Sequence, residues 1–203
     1  YNKKKISSIF ITGVKTNYTP VKKKIEKIIK SKVLHVKINK KRNSLNYIKS
    51  FSKKMSQKKI NCIFVSGGGS IIDFTKHIFF NMKKNSNSKI LFYIIPSMLG
   101  SGAEASIASI INTKNKKMIS VNENYVSDGI IYDLNFLSCV SKNSVLLGSI
   151  DALTHCVESL YSFNKNDYLD FYSINSINHF LNKISLHKII NVKKIDKKYL
   201  LEF

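Results

Sequence analysis

Short apolar runs alternate with longer amphipathic runs through the first half of the chain, and this alternation constrains the fold most. Runs of β-branched and aromatic residues predict strands at 9–12, 33–38, 60–65 and 90–95. Apolar residues at helical spacing predict helices at 21–29, 45–55 and 71–82. Because a helix follows each of the first three strands, we expect an α/β fold with a mostly parallel sheet covered on both faces.

The pattern changes after Pro96. Residues 106–111 and 118–121 flank a polar tip and predict a hairpin, and 129–132 reads as one more strand. From about residue 144 the pattern is helical, with predicted helices at 145–161 and 169–184. We therefore place a boundary near residue 140, with an α/β domain at 1–140 and the beginning of an all-α domain at 141–203.

The formal net charge is +22, from 34 Lys and Arg against 12 Asp and Glu. A charge of this size invites a nucleic-acid or membrane-surface interpretation. The lysines, however, recur along the whole chain among many Asn and Ile residues, and Arg42 is the single arginine. This distribution favours a solvated basic surface, so we expect no nucleic-acid partner.

The three cysteines are scattered, with no CxxC pair and an odd count: Cys62, Cys139 and Cys156. No disulfide framework or zinc ribbon follows, and a reducing, cytoplasmic setting is the simplest interpretation. The longest apolar run, 90–95, is far shorter than a membrane span, so we expect no membrane partner. The chain begins with Tyr1 rather than Met, and we expect it to be a fragment.

Three consecutive glycines follow the third predicted strand, in the segment SGGGSIID at 66–73. Glycine lets a backbone approach a ligand closely, and the amides at a helix N-terminus suit a pyrophosphate. The alternative is a plain strand-to-helix turn with Ser70 as the N-cap. Asp73 is expected in the first helical turn, where a carboxylate favours the helix dipole even without a ligand.

A second candidate site is the loop PSMLGSGAEAS at 96–106, just past the carboxyl end of a predicted strand. Open α/β sheets bind ligands at such ends. Ser97 and Ser101 supply hydroxyl groups, and Glu104 is an acid among small residues. The alternative is a crossover loop that needs small residues in order to pack.

Asp151 and His155 are four residues apart on a predicted helix and therefore share one face. A carboxylate oxygen and an imidazole nitrogen on adjacent turns can bind the same divalent metal. Glu158, one turn further on, could orient the imidazole. The alternative is a helix N-terminal aspartate beside a core histidine.

Three segments together resemble the iron-containing alcohol dehydrogenase family: GGGSIIDFTK, PSMLGSGAEAS and GSIDALTHCVESLYS. They look like that family's GGGSxxDxxK, PTTxGTGSE and GxDALTHxxE motifs, in the same order and at similar spacing. The resemblance runs from about residue 6 to residue 185. It implies a dehydroquinate synthase-like fold, in which an N-terminal Rossmann-like domain is followed by an all-α metal-binding domain whose C-terminal part is missing here.

The resemblance carries roles to individual positions. Gly68, Gly69 and Ser70 would bind the dinucleotide pyrophosphate. Ser97 and Ser101 stand where the family usually has threonines near the cofactor, and Lys117 matches a lysine near the ribose. Asp151 and His155 match the first two metal ligands, and the remaining histidine ligands would lie beyond residue 203.

Gly13 follows the first strand, where NAD-preferring members of the family often carry an aspartate. A carboxylate there would repel a 2′-phosphate, whereas glycine leaves room for one. Lys15, Thr16 and Asn17 could then contact the phosphate. The resemblance and this substitution favour NADP(H) over NAD(H).

The resemblance implies a metal-dependent, NAD(P)-linked alcohol dehydrogenase or aldehyde reductase that acts on a small alcohol or aldehyde. It favours iron over zinc and leaves a homodimer open. The alternatives are a glycerol dehydrogenase-like or dehydroquinate synthase-like enzyme, and a truncated, non-catalytic nucleotide-binding remnant. We expect the 203 residues alone to turn over little or no substrate.

Overall fold

The computed structural model describes residues 7–14, 18–39, 45–86, 88–112, 116–137, 140–164, 166–183 and 200. Contacts divide the chain into two compact units. The first comprises Tyr1–Pro96 and Ala103–Tyr132, and the second comprises Ser97–Gly102 and Asp133–Phe203. The chain leaves the first unit for the second time after Tyr132, about eight residues before the predicted boundary near residue 140. The assignment of separate functional domains at 1–140 and 141–203 stays a prediction.

A five-stranded sheet forms the centre of the first unit. Its strands are β1 (Ser8–Gly13), β2 (Val33–Ile38), β3 (Cys62–Gly67), β4 (Leu91–Pro96) and a short β7 (Gly129–Ile130). They lie in the order β2-β1-β3-β4-β7, and every pairing is parallel. The predicted α/β fold with a mostly parallel sheet is confirmed.

Both faces of the sheet are covered at its central strands β1 and β3, whose side chains are buried on both sides. Ile9 and Ile11 of β1 belong to a core that also holds residues of the second and third helices, among them Phe51 and Phe74. Phe10 points to the opposite face, where its ring packs edge-on against Tyr18 at a centroid distance of 6.2 Å. Burial on both faces explains the continuous apolar runs in the sequence.

Three helices follow the first three strands: α1 (Thr19–Ile29), α2 (Leu45–Gln57) and α3 (Gly69–Lys84). The helix α3 is the most deeply buried of them, and ten of its side chains lie in the interior. The predicted hairpin is formed by β5 (Ala108–Asn112) and β6 (Lys117–Val121), which pair antiparallel. A short 3₁₀ helix at Glu123–Tyr125 follows it.

Apart from the loop Ser97–Gly102 and short connecting segments, the described part of the second unit is helical. It contains the short α4 (Leu134–Leu137), then α5 (Lys142–Leu160) and α6 (Asp167–Lys183), and a small core of Leu137, Val145, Phe180 and Leu200. Several large apolar side chains on α5 and α6 are exposed, including Leu147 and Tyr168. Among the described helices of both units, none is long and apolar enough to cross a membrane.

The predicted strands and long helices all occur, with ends that differ by a few residues. Neither α4 nor the 3₁₀ helix is predictable from the sequence, because each is only about one turn long and shows no periodicity. The strand predicted at 129–132 is shorter in the structure, where it comprises Gly129–Ile130.

Candidate functional site

The ends of β1 and β3 bring two of the candidate positions together. These strands are adjacent, with Thr12 opposite Ser66, so that Gly13 and Gly67 end side by side. A Cβ atom placed on Gly13 would lie 3.6 Å from Cγ1 of Ile71, at the start of α3. The chain runs from β1 to β2 on one side and then to β3 on the other. This is a topological switch point, where open α/β sheets bind ligands.

The N-terminus of α3 lies at this point. The helix begins at Gly69, and its N-cap residue is Gly68, in an extended conformation. The alternative in which Ser70 is the N-cap is therefore wrong, since Ser70 is already the second helical residue. No side chain in the described part of the chain caps this helix. Backbone amides and the positive end of the dipole are thus available to an anion, which fits the pyrophosphate of a dinucleotide.

Gly67 has a packing role that the sequence analysis missed. A Cβ atom on this residue would lie 2.6 Å from Cβ of Ile71, which is closer than real side chains approach. The first glycine of the loop therefore lets α3 pack directly against the end of β3. The signal in the sequence was its position as the last residue of a strand that is followed at once by a helix.

The sequence predicts Asp73 in the first turn of α3, and this prediction is wrong. Asp73 is the fifth residue of the helix, because α3 begins at Gly69, and its side chain faces the hairpin. Its Oδ2 accepts a hydrogen bond of 3.1 Å from the amide of Ile110, and its carbonyl oxygen accepts one from the Ser109 hydroxyl. Asp73 therefore holds β5 against α3 and does not serve the helix dipole. Burial is the main cause that raises the pKa of its carboxyl group.

Lys76 lies one turn further along α3 and is completely buried. Its Nζ donates to the carbonyl oxygens of Ser106 and Ala108 at 2.7 and 2.8 Å, and lies 3.8 Å from Oδ1 of Asp73. Burial lowers the pKa of the ammonium group, and the charges of Asp73 and Glu104 oppose that shift. A signal for this cluster is present in the sequence, since Asp73 and Lys76, at i and i+3, interrupt a largely apolar helix.

Glu104 belongs to the same region of the first unit. It is buried, and its Oε1 accepts a hydrogen bond of 3.2 Å from the hydroxyl of Tyr132. Burial, with the nearby Glu104 charge, raises the pKa of Tyr132 to about 12. Glu104, the acid of the loop at 96–106, thus joins Asp73 and Lys76 among the buried charged residues of the first unit.

The two candidate serines of that loop lie in the second unit. Ser97 is buried and Ser101 is exposed. Between and beside them, Gly100 and Gly102 have φ angles of +105° and +60°, which side chains other than glycine rarely adopt. The loop therefore needs both glycines to present its hydroxyl groups on this path.

Asp151 and His155 lie on adjacent turns of α5. Oδ1 of Asp151 and Nε2 of His155 are 3.9 Å apart, and each side chain is 51% exposed. Asp151 is the tenth residue of the helix and His155 is half exposed, so the alternative of a helix N-terminal aspartate beside a core histidine is wrong. A carboxylate and an imidazole with this access fit part of a divalent-metal site.

No group of three or more His, Cys, Asp or Glu side chains that could hold a metal occurs among the described residues. Asp151 and His155 therefore form an incomplete ligand set within this part of the chain. Glu158 is exposed one turn beyond His155, and its orienting role stays a prediction.

The remaining candidates are separate from these groups. Lys117 is exposed on β6, where it pairs with Asn112 at the end of the hairpin. Lys15, Thr16 and Asn17 lie outside the described residues.

Comparison with known proteins identifies a family for the chain. A sequence model of the family described as iron-containing alcohol dehydrogenase matches residues 3–134. A 4-hydroxybutyrate dehydrogenase from Clostridium kluyveri is 29% identical over 150 residues, which are 66% of this chain and 40% of that protein.

Solved structures agree in fold. An iron-containing alcohol dehydrogenase from Thermococcus thioreducens has a TM-score of 0.80 at 19% identity, over 97% of this chain and 57% of that one. A sulfoacetaldehyde reductase from Bifidobacterium kashiwanohense, solved in complex with NAD+, has a TM-score of 0.75 at 13% identity, over 97% of this chain and 56% of that one.

The chain thus spans about half the length of these relatives. The family model alone matches more than half of the chain. The parallel sheet, the glycine turn at its switch point and the solved structures with the same fold agree with that match. The chain belongs to the iron-containing alcohol dehydrogenase family.

Proposed function

We propose that this chain carries the cofactor-binding part, and part of the metal-binding region, of an NAD(P)-linked alcohol dehydrogenase or aldehyde reductase. One observation carries the proposal: Asp151 and His155 present two metal-ligand atoms 3.9 Å apart on an accessible helix face. Membership of the family supports it, because iron-containing alcohol dehydrogenases combine a metal with a nicotinamide cofactor.

The glycine turn is the proposed pyrophosphate site. The amides at the start of α3 would donate to the phosphate oxygens, and Gly68 and Gly69 carry no side chain that would block their approach. Ser70, in the first turn of the helix, would add its hydroxyl group. We further assign Ser97 and Ser101 to the binding of the cofactor and Lys117 to a ribose.

Asp151 and His155 would hold a divalent metal, iron in preference to zinc. A bound metal would supply Lewis acidity, which stabilises negative charge on the substrate oxygen while hydride passes to or from the nicotinamide. The protein residues bind and orient the ligands, and the aligned geometry lowers the entropic barrier of the transfer.

Gly13 supports NADP(H) as the preferred cofactor. A Cβ atom at this position would make an ordinary contact of 3.6 Å with Ile71, so the backbone accepts a residue larger than glycine here. Gly13→Asp should therefore weaken NADPH through repulsion of the 2′-phosphate while it improves NADH binding. Comparable affinities of the natural protein for NADH and NADPH would contradict the preference.

The substrate proposed is a small alcohol and its aldehyde. The relative named 4-hydroxybutyrate dehydrogenase makes 4-hydroxybutyrate and its aldehyde, 4-oxobutanoate, the first pair to assay. A cytoplasmic setting is proposed from the cysteine pattern, and Cys62 and Cys156 are free thiols in the structure. A homodimer stays a prediction.

The test uses the natural full-length protein with Fe²⁺, NADPH or NADH, and 4-oxobutanoate or other small aldehydes. Asp151→Ala and His155→Ala should each lower metal-dependent reduction by at least about 100-fold, since Lewis-acid stabilisation is worth several kcal/mol. Asp167→Ala, which removes an exposed carboxylate from α6, is the matched control and should change little. Aldehyde reductase activity that survived both substitutions would refute the proposal.

A further inference from the structure

The loop Ser97–Gly102 touches α5 backbone to backbone, within the second unit. A Cβ atom placed on Gly100 would lie 2.0 Å from the carbonyl oxygen of Gly148. A Cβ atom placed on Gly148 would in turn lie 2.2 Å from the carbonyl oxygen of Leu99. Real side chains do not approach backbone atoms so closely, so the contact requires glycine on both sides.

The contact lies on a particular stripe of α5. Gly148, Asp151 and His155 are spaced i, i+3 and i+7, which places all three along one face of the helix. The next residue, Ser149, is fully buried, and its hydroxyl donates to the carbonyl oxygen of Val145. The loop backbone thus rests on the N-terminal end of the face that carries Asp151 and His155.

A side-chain contact anchors the loop in this position. Leu99 packs against the small helical core that includes Leu137 and Val145. The loop therefore has two attachments to the helical unit, one through Leu99 and one through the paired glycines.

We propose that Gly148 is a positioning residue: it sets how closely the loop bearing Ser97 and Ser101 approaches the face bearing Asp151 and His155. This inference rests on the proposed function, in which the loop serves the cofactor and the helix face serves the metal. A methyl group at position 148 would push Leu99 away by roughly 1 Å before an ordinary van der Waals contact is restored. A misplacement of about 1 Å can cost about 100-fold in rate.

The experiment compares Gly148→Ala with the natural full-length protein by amide hydrogen exchange, cofactor binding and steady-state kinetics. Amides at 98–102 should exchange faster in the variant, and the Kd for NADPH should rise severalfold. The kcat/KM for the aldehyde should fall by about 10- to 100-fold. The affinity for the metal should stay within about twofold, because Asp151 and His155 are unchanged. A general loss of structure would instead weaken metal and cofactor together.

The control is Leu147→Ala, at the neighbouring position of α5, where the side chain is 65% exposed. It should leave loop exchange and NADPH affinity unchanged. Gly148 is either required by the loop contact or an ordinary helix residue without such a contact, and the direction of the change in Tm distinguishes these two explanations. Alanine is the better helix former, so without the loop contact Gly148→Ala would raise Tm. A raised Tm with unchanged loop exchange would overturn the inference.

Hydrogen exchange in Gly148→Ala tests the inference independently of the proposed function. If the natural protein reduces no aldehyde, the function fails, yet faster loop exchange in Gly148→Ala still reports the contact. If the variant does not fold, the natural protein supplies the test, because coupling between two sites is reciprocal. Metal should then slow exchange at 98–102, and NADPH should slow exchange near residue 148. Where titration shows that metal and NADPH bind, absence of both effects would overturn the inference, whereas absence of binding itself would contradict the proposed function.

Discussion

His77 is a buried titratable group on α3 whose environment favours the neutral ring. Its Nδ1 lies 3.1 Å from the hydroxyl of Tyr125, and its Nε2 is buried with no hydrogen-bonding partner in the part of the chain that the structure describes. Burial is the main cause that lowers its pKa from 6.5 to about 4, with a smaller contribution from the charge of Lys76. The folded state therefore binds this proton less readily than the unfolded state does.

We expect His77 to make the protein less stable in acid. Its neutral ring contributes fully above pH 6.5, and the contribution is lost as pH falls from 6.5 towards 4, up to about 3 kcal/mol. Urea unfolding at pH 7.5 and 4.5 should show a smaller loss for His77→Gln, which cannot titrate, than for the natural protein. An unfolding free-energy difference between the two proteins that is equal at both pH values would contradict this.

The hairpin is the element whose attachment depends most on buried charge. Lys76 joins α3 to the carbonyl oxygens of Ser106 and Ala108, and Asp73 joins it to the amide of Ile110. Lys76→Met should lower the free energy of unfolding by about 3–5 kcal/mol, because it leaves buried acceptors and carboxylates without their cation. Urea unfolding is the measurement, and the exposed Lys84→Met on the same helix should change the value by less than about 0.5 kcal/mol.

A double variant shows whether charge is the cause. Asp73→Asn combined with Lys76→Met removes both partners, so it should be less destabilised than the sum of the two single variants. If Lys76→Met is no more destabilising than Lys84→Met, the ammonium group does not hold the hairpin.

The same elements show what the sequence could and could not predict. The strands were predictable because both faces of a parallel sheet are buried, which leaves continuous apolar runs such as 90–95. The surroundings of Asp73 were not predictable, because they depend on where α3 begins. A shift of one turn would change its hydrogen-bonding partners. The role of Lys76 was not predictable either, because its acceptors lie about 30 residues away in the chain.

Contacts between backbone atoms could not be predicted from the sequence, for a related reason. Gly100 and Gly148 are distant in the chain, and neither segment has a sequence feature that predicts contact with the other. The spacing of Asp151 and His155, by contrast, is a local property of a helix, and it placed their side chains on one face as expected. Local periodicity was thus predictable, whereas long-range partners were not.

At the scale of the whole molecule, the two proposed sites differ in how complete they are. The proposed pyrophosphate site is formed by one turn and the start of α3, inside a well-packed unit. The proposed metal site has two ligands, each 51% exposed, and the described residues provide no third one nearby. The relatives are about twice as long as this chain.

We therefore expect the 203 residues alone to bind cofactor but to turn over little or no aldehyde. NADPH titration followed by fluorescence should show saturable binding, which Gly69→Asp should weaken by placing a carboxylate at the phosphate. Calorimetric titration with Zn²⁺ should show weak binding, because two exposed ligands compete poorly with water for the ion. Aldehyde reduction by these residues that is abolished by a chelator would show instead that Asp151 and His155 suffice for the chemistry.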